Sequence, residues 1–362
     1  MHPLILRIID ANINRISEGL RVLEDIARFI VEDTSISQKL KMVRHDLNRY
    51  SAILGLSLIS SRESEADIGS NFDLSREHQD LSSVVQANAR RAQEGIRVLE
   101  ELFKLPDLNK LLTTDDLRKA RFQAYSLERE LLAKLSRKEK LRQLTGVYLI
   151  IDLQNESYRD INLLVSGALG GGAKAIGIRG QFPNNSKINI LDLYKNIKTQ
   201  CALNSALFIL HDQLDLALAC HPNCLCIENI KTPVNVLRKR MALNTLIGRR
   251  AETIKLITRF ISEGVDFVFF SNEERIACRN SVKKIDKFNL ISQYCVQVSL
   301  VLMSTVKLEN LSGIMSAGVR CIAIDSSQIS HDNIRDDIKR LVNKIEKERK
   351  KLEKTGKNIR MT

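Results

Sequence analysis

The chain has no run of about 18 apolar residues, so no membrane-spanning helix is expected. It has no cysteine before Cys201, and the seven cysteines from there onward are odd in number. The opening stretch MHPLILRIIDAN turns polar too early for a secretory leader. Together these features predict reduced thiols and a cytoplasmic protein rather than a disulfide scaffold. There is also no Gly-x-x-x-x-Gly-Lys-Ser/Thr segment, which excludes a P-loop as the means of holding ATP.

The net charge of +13 suggests a nucleic-acid partner until its location is considered. Residues 339–362 carry ten Lys or Arg against three Glu, so over half of the excess lies in one stretch. That stretch has no aromatic residue on which a base could stack. Leu341, Ile345 and Leu352 recur at helical spacing within it, so a solvated final helix is expected. Neither nucleic acid nor membrane is expected as a partner; homo-oligomerisation stays open.

What the sequence does contain is a helix written twice. Residues 11–25 read ANINRISEGLRVLED, and residues 87–101 read ANARRAQEGIRVLEE, 76 positions later. Ile13, Ile16, Leu20, Leu23, Ala27 and Ile30 form one apolar stripe, and Ala89, Ala92, Ile96, Leu99 and Phe103 repeat it. Each copy is followed by a second helical stretch. Two such helix pairs can pack their stripes into an α-helical bundle about a pseudo-twofold axis.

The polar residues repeat as well. Asn12, Arg15, Glu18, Arg21 and Glu24 return as Asn88, Arg91, Glu94, Arg97 and Glu100. Glu and Arg three or four apart can bridge along a helix for a few tenths of a kcal/mol each. That does not account for Asn, a weak helix former, nor for Gly19 and Gly95, each of which costs about 1 kcal/mol relative to Ala. Either close helix packing or a ligand site would. Arg beside Asn and a carboxylate suits a phosphate and a ring edge. The candidate binding set is Asn12, Arg15, Glu18, Arg21, Asn88, Arg91, Glu94 and Arg97. Arg44 of the VRHDL segment and Asp67 of the polar ADIGS loop join it.

After the charged stretch LSRKEKLRQLTG the pattern changes. Eight short apolar runs follow, GVYLIID, AKAIGIR, ALFILHD, CLCIEN, NTLIG, VDFVFF, QVSLVL and RCIAID, with helical stretches between most of them. That alternation predicts a parallel (β/α)8 barrel, whose active site lies at the C-terminal ends of the strands. The fold class is therefore α plus α/β. A duplicated helical bundle over residues 1–140 precedes a TIM barrel over 145–338, and a basic segment over 339–362 follows. Cys224 and Cys226 share one strand face; a metal site and an ordinary core position are both open.

The ordered motifs ANINRISEGLRVLEDIARF, VRHDL, ADIGS and QANARRAQEGIRVLEEL resemble the hydroxymethylpyrimidine phosphate kinase domain often fused ahead of thiamine phosphate synthase. The resemblance covers most of residues 5–135. It implies phosphoryl transfer from ATP, with Mg2+, to hydroxymethylpyrimidine phosphate. The barrel resembles thiamine phosphate synthase, which couples the resulting diphosphate to thiazole phosphate.

Residue by residue the barrel departs from that family. Asp152 closes the first strand as expected. The segment Gln-Leu-Arg-x-Lys survives only as Arg179, implied to bind the diphosphate substrate. The Asn-Asp pair becomes His211-Asp212, which keeps Asp212 as the implied Mg2+ ligand. The second metal Asp becomes Lys231, Gly-x-Ser becomes Gly248-Arg249-Arg250, and Thr-x-Thr-Lys is absent near Arg275–Cys278. The phosphate-cradling glycines become Ser304 and Thr305. No residue is singled out as the catalyst. Two functions are expected to compete: a bifunctional thiamine-biosynthesis transferase, and a pseudoenzyme barrel that holds a phosphate ligand or a regulatory partner.

Overall fold

The structure is a computed structural model and describes residues 2–61, 77–109, 114–182, 189–229, 231–271, 292–304 and 311–354. It divides into two compact units, Met1–Ser136 and Arg137–Thr362.

The first unit is helical. Its long helices are Pro3–Asp25, Thr34–Leu54, Leu81–Leu102 and Thr114–Gln143, the last of which carries the division between the units. Their ends are set by local chemistry. The Asp33 carboxylate accepts the Ile36 N–H at 3.0 Å. Asp80 and Ser83 close a reciprocal capping box. The two predicted stripes meet in one core, where Ile13, Ile16, Leu20 and Leu23 join Ala89, Ala92, Ile96 and Leu99. Each buried aliphatic side chain contributes roughly 1.5–3 kcal/mol of transfer free energy.

The second unit is a closed barrel of eight parallel strands in chain order. They are β1 Gly146–Asp152, β2 Ala175–Arg179, β3 Leu207–His211, β4 Cys224–Ile227, β5 Leu246–Ala251, β6 Phe267–Phe270, β7 Ser299–Met303 and β8 Cys321–Asp325. Each falls on one of the eight apolar runs. The runs are continuous rather than alternating because both faces are buried. One face packs against the helices, and the other fills the barrel with Tyr148, Ile150, Phe267, Phe269 and their neighbours.

Two glycines admit the largest rings. A Cβ at Gly177 would fall inside the Tyr148 side chain, and one at Gly248 inside the ring of Phe267. Cys224, Cys226 and Cys321 belong to this interior layer as buried free thiols.

The basic stretch from Lys339 is helical, as its spacing predicts, but position 339 is not a boundary. One helix, Ile334–Lys354, runs straight through position 339. It buries Leu341, Ile345 and Leu352 against the barrel core.

Candidate active site

In a strand, alternate residues share a face, and the interior-facing set can be followed to the top of each strand. It ends in Asp152, Arg179, His211, Glu228, Arg250, Ser271, Met303 and Asp325 on the eight strands in turn. Below this layer the described interior residues are apolar apart from the Tyr148 hydroxyl, the three thiols and Ser299 at the foot of β7. The layer itself is polar at seven of eight positions.

Two hydrogen-bonded groups occupy it. In the first, Arg179 donates through Nε to Asp152 at 2.9 Å and through Nη2 to Asp325 at 2.6 Å. Burial works against the guanidinium charge, yet hydrogen bonding to Asp152 and the nearness of Asp325 raise its pKa. With two of its five N–H groups committed to these acids, Arg179 keeps a forked edge for an anion. Next to it Gly180 has φ +74°, where a Cβ would lie 2.6 Å from Asp152 Oδ1. Any other side chain would therefore disturb the carboxylate that orients Arg179.

The second group is a chain of five residues. Tyr148 Oη meets His211 Nε2, and His211 Nδ1 lies 2.5 Å from Glu228 Oε1. Arg250 Nη1 donates to Glu228 Oε2 at 2.7 Å, and its Nε donates to Ser271 Oγ at 2.7 Å. Burial opposes ionisation of Glu228, but hydrogen bonds from His211 and Arg250 outweigh it and bring the carboxyl down to about 2. Burial pushes the Tyr148 hydroxyl well above its ordinary range, so it stays protonated at the Nε2 end of His211. His211 then donates from Nδ1 to Glu228. Every member of this buried network is satisfied, the condition under which such networks stabilise.

A cavity of about 260 Å³ opens above the two groups, lined by Arg179, His211, Asp212, Gln213, Glu228 and Asn229 among others. Asp212, the implied metal ligand, sits at this cavity with φ +53°. Its Oδ1 accepts the N–H groups of Glu228 at 2.8 Å and Asn229 at 3.2 Å. Its Oδ2 accepts the Asn229 N–H and side-chain amide, both at 2.9 Å. Asp212 thus clamps the turn after β4.

Magnesium requires open oxygen donors in octahedral array. Both oxygens of Asp212 are engaged, Glu228 is held by His211 and Arg250, and position 231 is an exposed lysine. Among the described residues, the carboxylates at this cavity are already engaged and do not fit a magnesium ion. His211, Cys226 and Glu228 do place three ligand atoms within 4.8 Å of one another. Arg250 neutralises that carboxylate, however, and burial raises the Cys226 thiol pKa, so the geometry is that of a core network.

The helical unit sorts its repeated polar residues into two kinds. Glu24 and Glu100 are buried, and each takes an arginine from the following helix: Glu24 from Arg44 at 2.9 Å, Glu100 from Arg121 at 2.7 Å. Burial raises the Glu100 pKa, but Arg121 and Arg97 more than reverse this and lower it. Arg21 bridges Glu24 at 3.5 Å and Asp25 at 3.3 Å, and Arg97 bridges Glu100 at 2.8 Å and Glu101 at 2.6 Å. Asn12 and Asn88 return their amides to their own helices, donating to the Ile8 and Val84 carbonyls at 2.8 and 2.9 Å. These residues therefore have structural partners.

Arg15, Glu18, Arg91 and Glu94 do not. All four are exposed and form no ion pair among the described residues. Gly19 packs against Asn88, and Gly95 against Asn12 and Ile16, so the two repeated helices cross antiparallel. Arg15 and Arg91 lie midway between these contact points, at the centre of the crossing. Asp67 and the Arg275–Cys278 segment lie outside the described residues. Sequence reasoning did not assemble the chain Tyr148–His211–Glu228–Arg250; strand parity was the signal that could have done so.

Residues 7–130 match the ThiD2 family, and residues 147–327 match the family described as thiamine monophosphate synthase. A thiamine-phosphate synthase of Thermosynechococcus vestitus is 31% identical over 265 residues, covering 72% of each chain. One from Synechocystis is 29% identical over 327 residues, covering 88% of this chain and 90% of that protein. A solved thiamine phosphate pyrophosphorylase of Pyrococcus furiosus has a TM-score of 0.47 at 19% identity, covering 57% of this chain and 98% of that one.

Proposed function

We propose, for a chain that belongs to the thiamine monophosphate synthase family and carries a ThiD2-family segment ahead of the barrel, a two-step transferase of thiamine biosynthesis. The helical unit moves the γ-phosphoryl group of ATP, supplied with its Mg2+, onto hydroxymethylpyrimidine phosphate. The products are the pyrimidine diphosphate and ADP. The barrel then joins that diphosphate to thiazole phosphate: the thiazole nitrogen forms the new bond to the pyrimidine methylene carbon, and diphosphate leaves.

Phosphoryl transfer requires positioning and charge neutralisation more than a covalent catalyst. Arg15 and Arg91 supply cations at the crossing, with Glu18 and Glu94 beside them in sequence to orient the pyrimidine phosphate. In the barrel the supporting observation is Arg179, fixed by Asp152 and Asp325 with its remaining N–H edge at the cavity. It serves as the group that receives charge as the diphosphate departs. No step in the barrel is routed through a divalent ion.

A second function has its own observation. Asp212 clamps the β4 turn and Glu228 is neutralised by Arg250, which suits a barrel that holds a phosphorylated ligand without coupling it. Supplying pyrimidine diphosphate and thiazole phosphate directly separates the two, with thiamine phosphate read by fluorescence after oxidation to thiochrome. Product that is lost in Arg179→Gln supports coupling. No product, with thiazole phosphate still bound in calorimetry, establishes the ligand-holding barrel instead.

A further inference from the structure

The barrel closes where β1 pairs with β8, with Ile150 opposite Asp325 in the register. Past the C-terminal ends of these two strands, three ligand-type side chains converge. Glu156 follows β1, Asp160 stands in the first turn of the helix Tyr158–Gly170, and His331 follows β8. Each offers one ligand atom, and the three atoms lie within 4.8 Å of one another. None of them belongs to the Arg179 group or to the chain that starts at Tyr148.

Glu156 is the member that ordinary packing leaves unexplained. Its side chain is only 4% exposed. Oε1 accepts the Ser326 hydroxyl at 3.1 Å. Oε2 is buried and has no hydrogen-bond partner, although His331 Nε2 stands 3.3 Å away. A carboxylate oxygen left unpaired out of water is costly. The imidazole nitrogen is therefore beside Oε2 without bonding to it. Two ligands of one ion stand in that way: with metal–ligand bonds of about 2.1 Å, tetrahedral neighbours are about 3.4 Å apart.

Both carboxylates are oriented by serines. Asp160 Oδ2 accepts the Ser157 hydroxyl, and Ser157 caps the helix by accepting the Asp160 N–H at 3.2 Å. Ser157 and Ser326 thus hold Asp160 and Glu156 as outer-shell partners hold the ligands of a bound ion. One imidazole and two carboxylates suit a borderline divalent metal such as zinc. Magnesium, which prefers oxygen donors alone, makes no use of the imidazole.

We propose that Glu156, Asp160 and His331 bind one zinc-type divalent ion, which ties the turn after β1 to the segment after β8. The site is separate from the coupling chemistry proposed above and does not depend on it. Ser326, which bonds to Glu156, directly follows Asp325, and Asp325 holds Arg179. The ion thus fastens the closing seam of the barrel beside an acid that aims Arg179.

The test is calorimetric titration of zinc into the full chain, after treatment with EDTA and dialysis, under saturating magnesium. The wild type is expected to bind one equivalent. His331→Ala alters an exposed side chain, and circular dichroism verifies that the fold is kept. This variant is expected to bind zinc at least about a hundredfold more weakly, since loss of even an outer-shell partner costs ten- to a hundredfold. Glu156→Gln is expected to weaken binding likewise. His45→Ala, at an exposed histidine of the helical unit, is expected to bind as the wild type does. Cobalt in place of zinc gives a second reading: weak visible bands of nitrogen and oxygen ligands, without a thiolate charge-transfer band in the near ultraviolet. A wild-type chain that binds no zinc overturns the site. Unchanged affinity in His331→Ala, or a thiolate band with cobalt, puts the metal on other residues and overturns it as well.

Discussion

Gly19 lies against the main-chain carbonyl of Asn88: a Cβ built at Gly19 would stand 2.7 Å from that oxygen. The reciprocal position, Gly95, faces the Ile16 side chain at 2.7 Å and the Asn12 carbonyl at 3.4 Å. The duplicated glycines thus mark a helix crossing in which each copy offers its glycine to the other. The difference between the two contacts is testable. Gly19→Ala meets rigid backbone and should destabilise the helical unit by about 1–3 kcal/mol. Gly95→Ala meets side-chain atoms instead, Cγ1 and Cδ1 of the buried Ile16; a β-branched side chain yields only in part, so this variant should also be destabilised, but by less than Gly19→Ala. Urea unfolding of the two variants compares them directly. An equal or reversed order contradicts this packing.

The buried carboxylates Glu24 and Glu100 hold each helix pair together through Arg44 and Arg121. Glu100→Gln removes the charge that Arg121 faces and should cost about 3–5 kcal/mol, as expected when one partner of a buried pair is lost. Arg97→Gln, at a side chain more than half exposed, should cost under about 1 kcal/mol. Denaturation midpoints of the two variants give the comparison.

Arg179→Lys keeps the charge but loses the fork that Asp152 and Asp325 align. Pyrimidine diphosphate binding should weaken by about ten- to a hundredfold, the effect of replacing a bidentate arginine. Titration calorimetry reads the change, and unchanged affinity would remove Arg179 from the phosphate site.

Glu228 sets an acid limit on the barrel. Its folded pKa of about 2 lies below the ordinary carboxyl value of 4.5. Its contribution is therefore fully present above about pH 4.5 and is lost as pH falls through about 2, and on the order of 3 kcal/mol depends on it. Glu228→Gln should flatten the acid limb of the stability profile between these values. A variant profile parallel to the wild type would show that the His211–Glu228–Arg250 network carries no such linkage.

Asp212 invites a test of its role. If it serves as the clamp of the β4 turn, Asp212→Ala should lower the melting temperature with or without magnesium, because four hydrogen bonds are lost. If it serves as a metal ligand, magnesium should stabilise the wild type and not the variant, and thermal melts in EDTA and in magnesium distinguish the two.

Much of this architecture was legible in the sequence. The stripes Ile13–Leu23 and Ala89–Leu99 carry the helical period, and the eight apolar runs became the eight strands because burial on both faces leaves only one kind of residue in them. The site was harder to read for a physical reason. Arg21, Glu24, Arg97 and Glu100 look alike in a repeated string, but burial alone separates Glu24 and Glu100, tied to Arg44 and Arg121, from the exposed Arg15 and Arg91. Similarly, His211 and Arg250 are departures from a family pattern, each at a strand end, while Glu228 carries no motif of its own. That they bond to one another, and to Tyr148 from the layer below, follows only once closure of the barrel brings β1, β3, β4 and β5 into register.

The central claim is that one chain phosphorylates a pyrimidine phosphate and passes the product to its barrel. Phosphorus NMR of the purified protein with hydroxymethylpyrimidine phosphate, ATP and magnesium, followed by thiazole phosphate, tests it most directly. The account predicts first the paired resonances of a pyrimidine diphosphate with ADP, then thiamine phosphate and free diphosphate. A spectrum that stays at the starting phosphates contradicts the kinase step, and a pyrimidine diphosphate that persists after thiazole phosphate is added contradicts coupling in the barrel.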